Sequence, residues 1–167
     1  MLRRHRDLVG RRHQKWVRRA IFSLILLVPA LAAFNVFGQR PETATADSGP
    51  ARLKLYAPER VRGGGLFEAR FHIDARQELK DARLVLDPGW AEGVSINTIE
   101  PSPVGEASAD GKLALDLGHV PQGDRHLLFM QFQVNPTNVA WRRRADVALY
   151  DGETHLLTIR HTVTVYP

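Results

Sequence analysis

The chain has 167 residues, enough for one domain of ordinary size and about 50 residues more. Its net charge of +5 is distributed unevenly, because residues 1–19 carry a net charge of +7 and the remaining residues carry −2. The chain contains no cysteine. Disulfides, thiolate zinc sites, a catalytic thiol and lipid attachment through cysteine are therefore excluded.

The first predicted element is an apolar segment that has no ionisable side chain between positions 20 and 39. A helix over residues 20–38 is about 28 Å long, which is close to the hydrocarbon thickness of a bilayer. A proline inside such a helix adds a kink that a membrane helix tolerates. The segment predicts a single-pass transmembrane helix over residues 20–38. Its ends are Ala20 and Gly38, and Leu27 and Pro29 lie near its middle.

A basic cytoplasmic tail over residues 1–19 is predicted to set the topology of this helix. The opposite flank has Arg40 followed by the acidic Glu42 and Asp47. By the positive-inside rule, the N-terminus stays in the cytoplasm and residues 40–167 lie outside, so that the helix is an uncleaved signal anchor. Because insertion itself requires positive charge here, we do not expect a nucleic-acid site. The charges nearest to the segment are Arg11, Arg12, Lys15, Arg18 and Arg19.

Two other targeting signals compete for the same residues. The small-x-small pattern Ala30-Leu31-Ala32 also fits a secretory signal peptide, whose cleavage after Ala32 would release a soluble domain. The Arg18-Arg19 pair weakly resembles a twin-arginine export signal. We favour the anchor, because the basic region is long for a signal peptide and apolar residues continue beyond Ala32.

A flexible linker is predicted over residues 39–50, which read QRPETATADSGP without apolar periodicity. Twelve residues of coil have an r.m.s. length of about 19 Å. We therefore expect the outer domain to stay close to the bilayer surface.

From residue 51 onward the apolar residues recur with period two, as in half-buried β-strands. The clearest strands are predicted at Leu66–Ala75, Leu128–Val134 and Leu157–Val165. Shorter strands are predicted at residues 52–57, 82–86, 94–99, 112–117 and 145–150.

Turn residues separate these strands, among them Gly63-Gly64-Gly65, the Asp87-Pro88-Gly89 corner and a predicted hairpin at Asp151-Gly152. Trp90, directly after the corner, is expected to close the core. Seven or eight short strands with a turn about every ten residues predict an all-β fold. We expect residues 51–167 to form an extracytoplasmic, antiparallel, immunoglobulin-like β-sandwich.

The motifs LDPGW and LGHVPQG, at residues 86–90 and 117–123, carry a resemblance. They are similar to the turns of the conserved-repeat and cell-adhesion-related modules of bacterial cell surfaces. The order of tail, span and domain also resembles small membrane-anchored proteins of actinobacteria. The resemblance implies a non-catalytic sandwich without active-site residues.

The histidines of the predicted sandwich show no metal-ligand spacing. His161 falls on the apolar phase of its strand and is expected to be a buried, hydrogen-bonded histidine. His119 and His126 flank a turn with Asp116 and Asp124, which we interpret as solvated. No serine lies in a G-x-S-x-G motif. We expect no catalytic residue, metal site or cofactor, and an exported hydrolase or metal-dependent enzyme is the alternative.

The most distinctive outer feature is Trp141-Arg142-Arg143-Arg144, between two predicted strands. An aromatic ring beside three guanidinium groups can pair with phosphate or carboxylate and stack on a partner. An ordinary solvated loop is the competing interpretation. We expect a binding or scaffolding role toward another component of the cell envelope, such as lipid headgroups, an anionic polymer or a membrane protein. No small-molecule substrate is indicated.

Overall fold

The computed structural model describes residues 12–34 and 39–167, and its chain divides into two compact units, Met1–Gly38 and Gln39–Pro167. The first unit contains helix α1 (Arg12–Ala33). The helix begins eight residues before the predicted Ala20, because the Arg, Lys and Gln residues ahead of the apolar segment are good helix formers. It ends at Ala33, whereas Arg11 and Gly38 lie outside the described residues.

Helix α1 carries its basic residues on its first turns and its apolar residues behind them. The guanidinium of Arg18 lies 5.7 Å from the ring centre of Phe22, and that of Arg19 lies 5.5 Å from the ring centre of Trp16. Within His13–Ala33 an 18-residue window has a mean hydropathy of 1.7, so the helix is long and apolar enough to cross a membrane. A membrane anchor and a signal sequence both have these properties.

The second unit consists of strands and one short 3-10 helix at Pro88–Trp90. In the described residues the strands number 13, more than the seven or eight that the sequence predicts. They are β1 (Pro41–Asp47), β2 (Ala51–Pro58), β3 (Arg60–Arg62), β4 (Leu66–Ala75), β5 (Leu79–Leu86), β6 (Val94–Glu100), β7 (Gly105–Ala109), β8 (Lys112–Val120), β9 (Arg125–Val134), β10 (Ala140–Arg144), β11 (Val147–Asp151), β12 (Thr154–Ile159) and β13 (Thr162–Tyr166).

The strands form two five-stranded sheets, in the orders β1-β2-β4-β9-β6 and β12-β11-β5-β8-β7, and a three-stranded sheet in the order β10-β13-β3. All pairs are antiparallel except β13 with β3. The predicted fold class is confirmed: an antiparallel, immunoglobulin-like β-sandwich follows an N-terminal apolar helix. The predicted hairpin at Asp151-Gly152 is also present, between β11 and β12.

One hydrophobic core is shared by the inner faces of the sheets. On β4 the buried residues Phe67, Ala69, Phe71 and Ile73 alternate with solvent-facing polar ones, as the period predicts. Trp90 is 2% exposed and contacts Phe71 and Phe132. Every buried core residue lies between Ala51 and Val165, and every strand pairs within residues 39–167, so this unit contains all that its fold requires.

The flexible linker predicted over residues 39–50 is not what the structure contains, because residues 41–47 form β1. All seven residues pair with β2, and Ala44 and Ala46 pack against the core. Asp47 binds Arg52 and Arg76 at the end of the strand. The composition of the segment does not reveal this pairing.

The long strand predicted at Leu157–Val165 is two strands in different sheets. β12 pairs with β11 in a five-stranded sheet, and β13 pairs with β10 and β3 in the three-stranded sheet. Arg160 and His161 connect the two strands. The side-chain period continues through this crossing because both strands face the same core, so the pattern does not show the break.

Candidate interaction surface

The predicted Trp141–Arg144 loop is part of strand β10, at the edge of the three-stranded sheet. In its pairing with β13, Ala140 lies opposite Val165 and Arg143 lies opposite Val163. Three steps along β10 therefore correspond to two along β13, so β10 has one extra residue. This is a β-bulge, which breaks the alternation of the side chains and re-aims them.

The bulge turns two consecutive side chains outward. Ala140 packs against the core and the side chain of Arg143 is only 16% exposed, so the residues between them face solvent. Trp141 is 77% exposed. Arg142 has φ +48°, in the left-handed region, and its backbone N–H donates to Oγ1 of Thr164 at 3.3 Å. A non-glycine residue in this region occurs at bulges and turns, where its backbone is fixed by neighbouring contacts.

Arg143 and Arg144 are bound within the domain. Nη2 of Arg143 donates to Oδ1 of Asn138 at 2.9 Å, and its Nη1 donates to the backbone oxygen of Glu92. Nε of Arg144 lies 2.7 Å from Oδ2 of Asp146 and 3.2 Å from Oδ2 of Asp87. Of the predicted loop, Trp141 and Arg142 are therefore the residues that the fold leaves available to a partner.

Strand β3 adds two further arginines to the same side of the sheet. It pairs with β13 so that Arg60 lies beside Thr164 and Arg62 lies beside Tyr166, while Val61 faces the core. We term the outward side of β10, β13 and β3 the basic face. Its residues are Arg60, Arg62, Trp141, Arg142, Arg144, Thr162, Thr164 and Tyr166.

Arg60 and Arg62 are not predicted from the sequence, because β3 has only three residues and is too short for a periodic signal. The alternation Arg-Val-Arg next to a predicted strand is the one signal that points to them.

The outward positions of the basic face hold four guanidinium groups and no carboxylate. Within residues 12–34 and 39–167, no hydrogen bond or ion pair engages the guanidinium of Arg62 or of Arg142. Arg144 is balanced by Asp87 and Asp146. Guanidinium groups bind phosphate and carboxylate through paired N–H donors, and exposed Trp and Tyr rings are amphipathic. This surface can therefore hold an anionic partner.

A groove of about 270 Å³ lies on the sheet β1-β2-β4-β9-β6. Its polar side chains already bind each other or the backbone: Nη2 of Arg70 lies 3.1 Å from Oε2 of Glu68, and Nε2 of Gln39 donates to the backbone oxygen of Leu66 at 2.9 Å. The Arg70 guanidinium also lies 5.7 Å from the ring centre of Tyr56. These side chains are therefore already engaged within the domain.

The histidines do not gather with the carboxylates that the sequence places near them. Nε2 of His119 lies 2.9 Å from Oε1 of Glu78, and Asp116 binds Arg83. His161 is buried, as predicted, and lies against Trp90. In the part of the chain that the structure describes, no three His, Asp or Glu side chains are placed to hold a metal ion.

Burial lowers the pKa of His161, and a hydrogen bond to the backbone of Pro58 together with the charges of Glu42 and Asp146 offsets part of this effect. Burial also lowers the pKa of His126. The Nε2 atoms of both residues are buried without a hydrogen-bond partner among the described residues. The neutral imidazole is therefore the favoured form at both positions.

Comparison with known proteins gives structural similarity alone. No family model matches the chain, and no curated protein matches its sequence. AvmM, described as catalysing macrocyclization in alchivemycin A biosynthesis, aligns with 75% of this chain and 97% of its own at 8% identity and a TM-score of 0.44. A CARDB domain from Pyrococcus furiosus, solved with di-metal ions, aligns with 75% of this chain and 88% of its own at 12% identity and a TM-score of 0.41.

An immunoglobulin-like protein from Pseudomonas aeruginosa aligns with 74% of this chain and 96% of its own at 14% identity and a TM-score of 0.33. At TM-scores below 0.5, these similarities support no conclusion about activity or ligands. The fold rests on the strand pairing itself.

Proposed function

We propose that this chain is a single-pass membrane protein, with its N-terminus in the cytoplasm and its β-sandwich outside. The role that we propose for the sandwich is non-catalytic: it binds or scaffolds another component of the cell envelope. Helix α1 is long and apolar enough to be the anchor, and the sequence's resemblance to bacterial cell-surface modules agrees with this role.

The observation that carries the proposal is the Trp141–Arg142 bulge. An exposed tryptophan side chain is unfavourable in water, and the fold places it next to Arg142, whose guanidinium has no partner within the described residues. Tryptophan and arginine are the residue types that contribute most at binding surfaces. The bulge fixes the backbone of both residues, so no backbone ordering is needed when a partner binds.

The topology can be tested by cysteine labelling, because the natural chain has no cysteine that would react with the label. A membrane-impermeant maleimide added to intact cells should modify the variant Gln122→Cys, in an exposed turn of the sandwich, and should not modify His13→Cys. Carbonate washing should leave the full-length chain in the membrane. Labelling of His13→Cys with protection of Gln122→Cys, or release of the full-length chain by carbonate, contradicts the proposal.

The binding role can be tested with a photo-cross-linking residue at position 141 in intact cells. The matched control is the same residue at Val104, which is also highly exposed but lies on the turn between β6 and β7. We expect an adduct from position 141 that is reduced by Arg142→Glu and is absent from position 104. Equal adducts from both positions, or none from position 141, contradict a binding role for the bulge.

A further inference from the structure

We propose that the basic face docks on the headgroup surface of an anionic bilayer, where Arg62 and Arg142 bind lipid phosphates. The proposal rests on the proposed function, because it names the envelope component that the sandwich meets. Trp141 and Tyr166 then lie at the boundary between headgroups and acyl chains.

The charge of the face is complementary to phosphate. Neighbouring strands are about 4.8 Å apart, so β10 and β3, which flank β13, are about 10 Å apart. Arg142 and Arg62 therefore present two separate cationic groups, one on each outer strand. A spacing of this size fits two neighbouring phosphates of a surface better than one small anion.

The exposed apolar side chains support a lipid surface. Trp141 is 77% exposed and Val139, two residues before it, is 63% exposed. Tryptophan and tyrosine are enriched where membranes meet water, because each has an apolar body and a polar tip. Arginine beside them can reach the phosphates at the same depth.

The size of the face favours lipid over an acidic protein. The three strands have at most five residues each and a backbone footprint of roughly 200 Å², which is narrow for a stable protein interface. A surface this small binds weakly from solution. Weak binding is sufficient for a domain whose own chain is anchored in the bilayer, because anchoring gives a high effective concentration.

The first test uses residues 39–167, the unit that contains its whole core and all its strand pairs. The protein is mixed with vesicles of phosphatidylcholine alone, or with vesicles in which about a third of the lipid is the anionic phosphatidylglycerol. The bound fraction is measured by flotation. We expect binding to the anionic vesicles alone, decreasing as salt is raised. Equal binding to both vesicles, or binding to neither, overturns the proposal.

The variant Arg62→Glu with Arg142→Glu should lower the bound fraction by about tenfold or more. The matched control is Lys54→Glu with Lys80→Glu, which changes the net charge equally at exposed positions away from the basic face. We expect the control to bind nearly as the natural sequence does. An equal loss in both variants shows that binding depends on positive charge in general and not on the basic face, and overturns the proposal. Circular dichroism verifies that each variant is folded. The salt dependence of vesicle binding is measured on the natural sequence, so it tests the proposal even if a variant does not fold.

Tryptophan fluorescence gives a second readout. Residues 39–167 contain Trp90, which is buried, and Trp141, which is exposed. Anionic vesicles should shift the emission to shorter wavelength, and brominated lipids should quench it, while Trp141→Phe should abolish both effects. Emission that does not change on addition of vesicles overturns the proposed contact.

The two proposals fail in different ways. If position 141 cross-links to a protein in intact cells and anionic vesicles do not bind the domain, the lipid surface is wrong and the binding role stands. If Gln122→Cys is protected in intact cells, the topology is wrong whatever the vesicles show.

Discussion

The indole ring of Trp90 stacks on the imidazole ring of His161, with ring centres 5.5 Å apart and ring planes 17° apart. Trp90 follows the Asp87-Pro88-Gly89 corner, and His161 lies where the chain crosses from β12 to β13. Nε1 of Trp90 also donates to the backbone oxygen of Ala145 at 2.8 Å. This stack therefore joins the corner to the crossing, beneath the strand that carries the bulge.

The stability of the sandwich should fall as pH falls below about 6.5, the ordinary pKa of histidine. Burial lowers the pKa of His161 and of His126, and burial together with the nearby Lys54 and Arg125 lowers that of His72. The unfolded chain then binds protons more readily than the folded one, so stabilisation present above pH 6.5 is lost as pH decreases. Urea unfolding at pH 7.5 and 5.5 measures the effect.

His161→Phe, which keeps a ring against Trp90, should reduce this pH dependence. His155→Gln, at an exposed position, is the control and should retain it. A pH dependence that is the same in His161→Phe and in the natural sequence would show that His161 does not contribute.

Gly89→Ala should destabilise the sandwich strongly. A Cβ on Gly89 would overlap the backbone oxygen of Arg144, which cannot move without breaking the pairing of β10 with β13. Overpacking against a rigid neighbour costs about 1–3 kcal/mol or more. Thermal unfolding of residues 39–167 measures the loss.

The control is Gly49→Ala, where a Cβ would meet nothing within 4 Å. Its stability should change by less than about 0.5 kcal/mol. Equal melting temperatures for the two variants would mean that the corner and β10 are not in contact.

Truncation of Trp90 should show that its role is structural. Trp90→Ala removes the largest fully buried side chain and leaves the oxygen of Ala145 without its donor, and substitutions of this kind cost about 3–5 kcal/mol. Trp141→Ala, at an exposed position, should have little effect on chemical denaturation. A comparable loss in both variants would contradict the exposure of Trp141.

The sequence predicts a strand well where one face of the strand is buried and the other is exposed to solvent. β4 follows its predicted bounds because ten residues alternate without interruption. β1 is missed because its inward residues, Ala44 and Ala46, are too small to give an apolar period. The break at His161 is missed because the buried residues keep the same alternation through β12 and β13.

The candidate surface is predicted in part for a related reason. Trp141 and Arg142 stand out in the sequence as an aromatic beside basic residues. The engagement of Arg143 by Glu92, 51 positions away, is a tertiary contact that spacing does not show. The join of β3 to β13 likewise depends on a parallel pairing between distant segments.

Substitutions in β1 distinguish a paired strand from a flexible linker. Ala44 lies opposite Leu55 and faces the core, whereas Thr43 lies opposite Tyr56 and faces solvent. Ala44→Glu places a charge against apolar neighbours and should cost about 1–2 kcal/mol, while Thr43→Glu should stay within about 0.5 kcal/mol of the natural sequence. A flexible segment would tolerate both changes equally, because neither side chain would have a fixed neighbour. Urea unfolding of the two variants measures the difference, and equal midpoints would mean that β1 does not contribute to the stability of the sandwich.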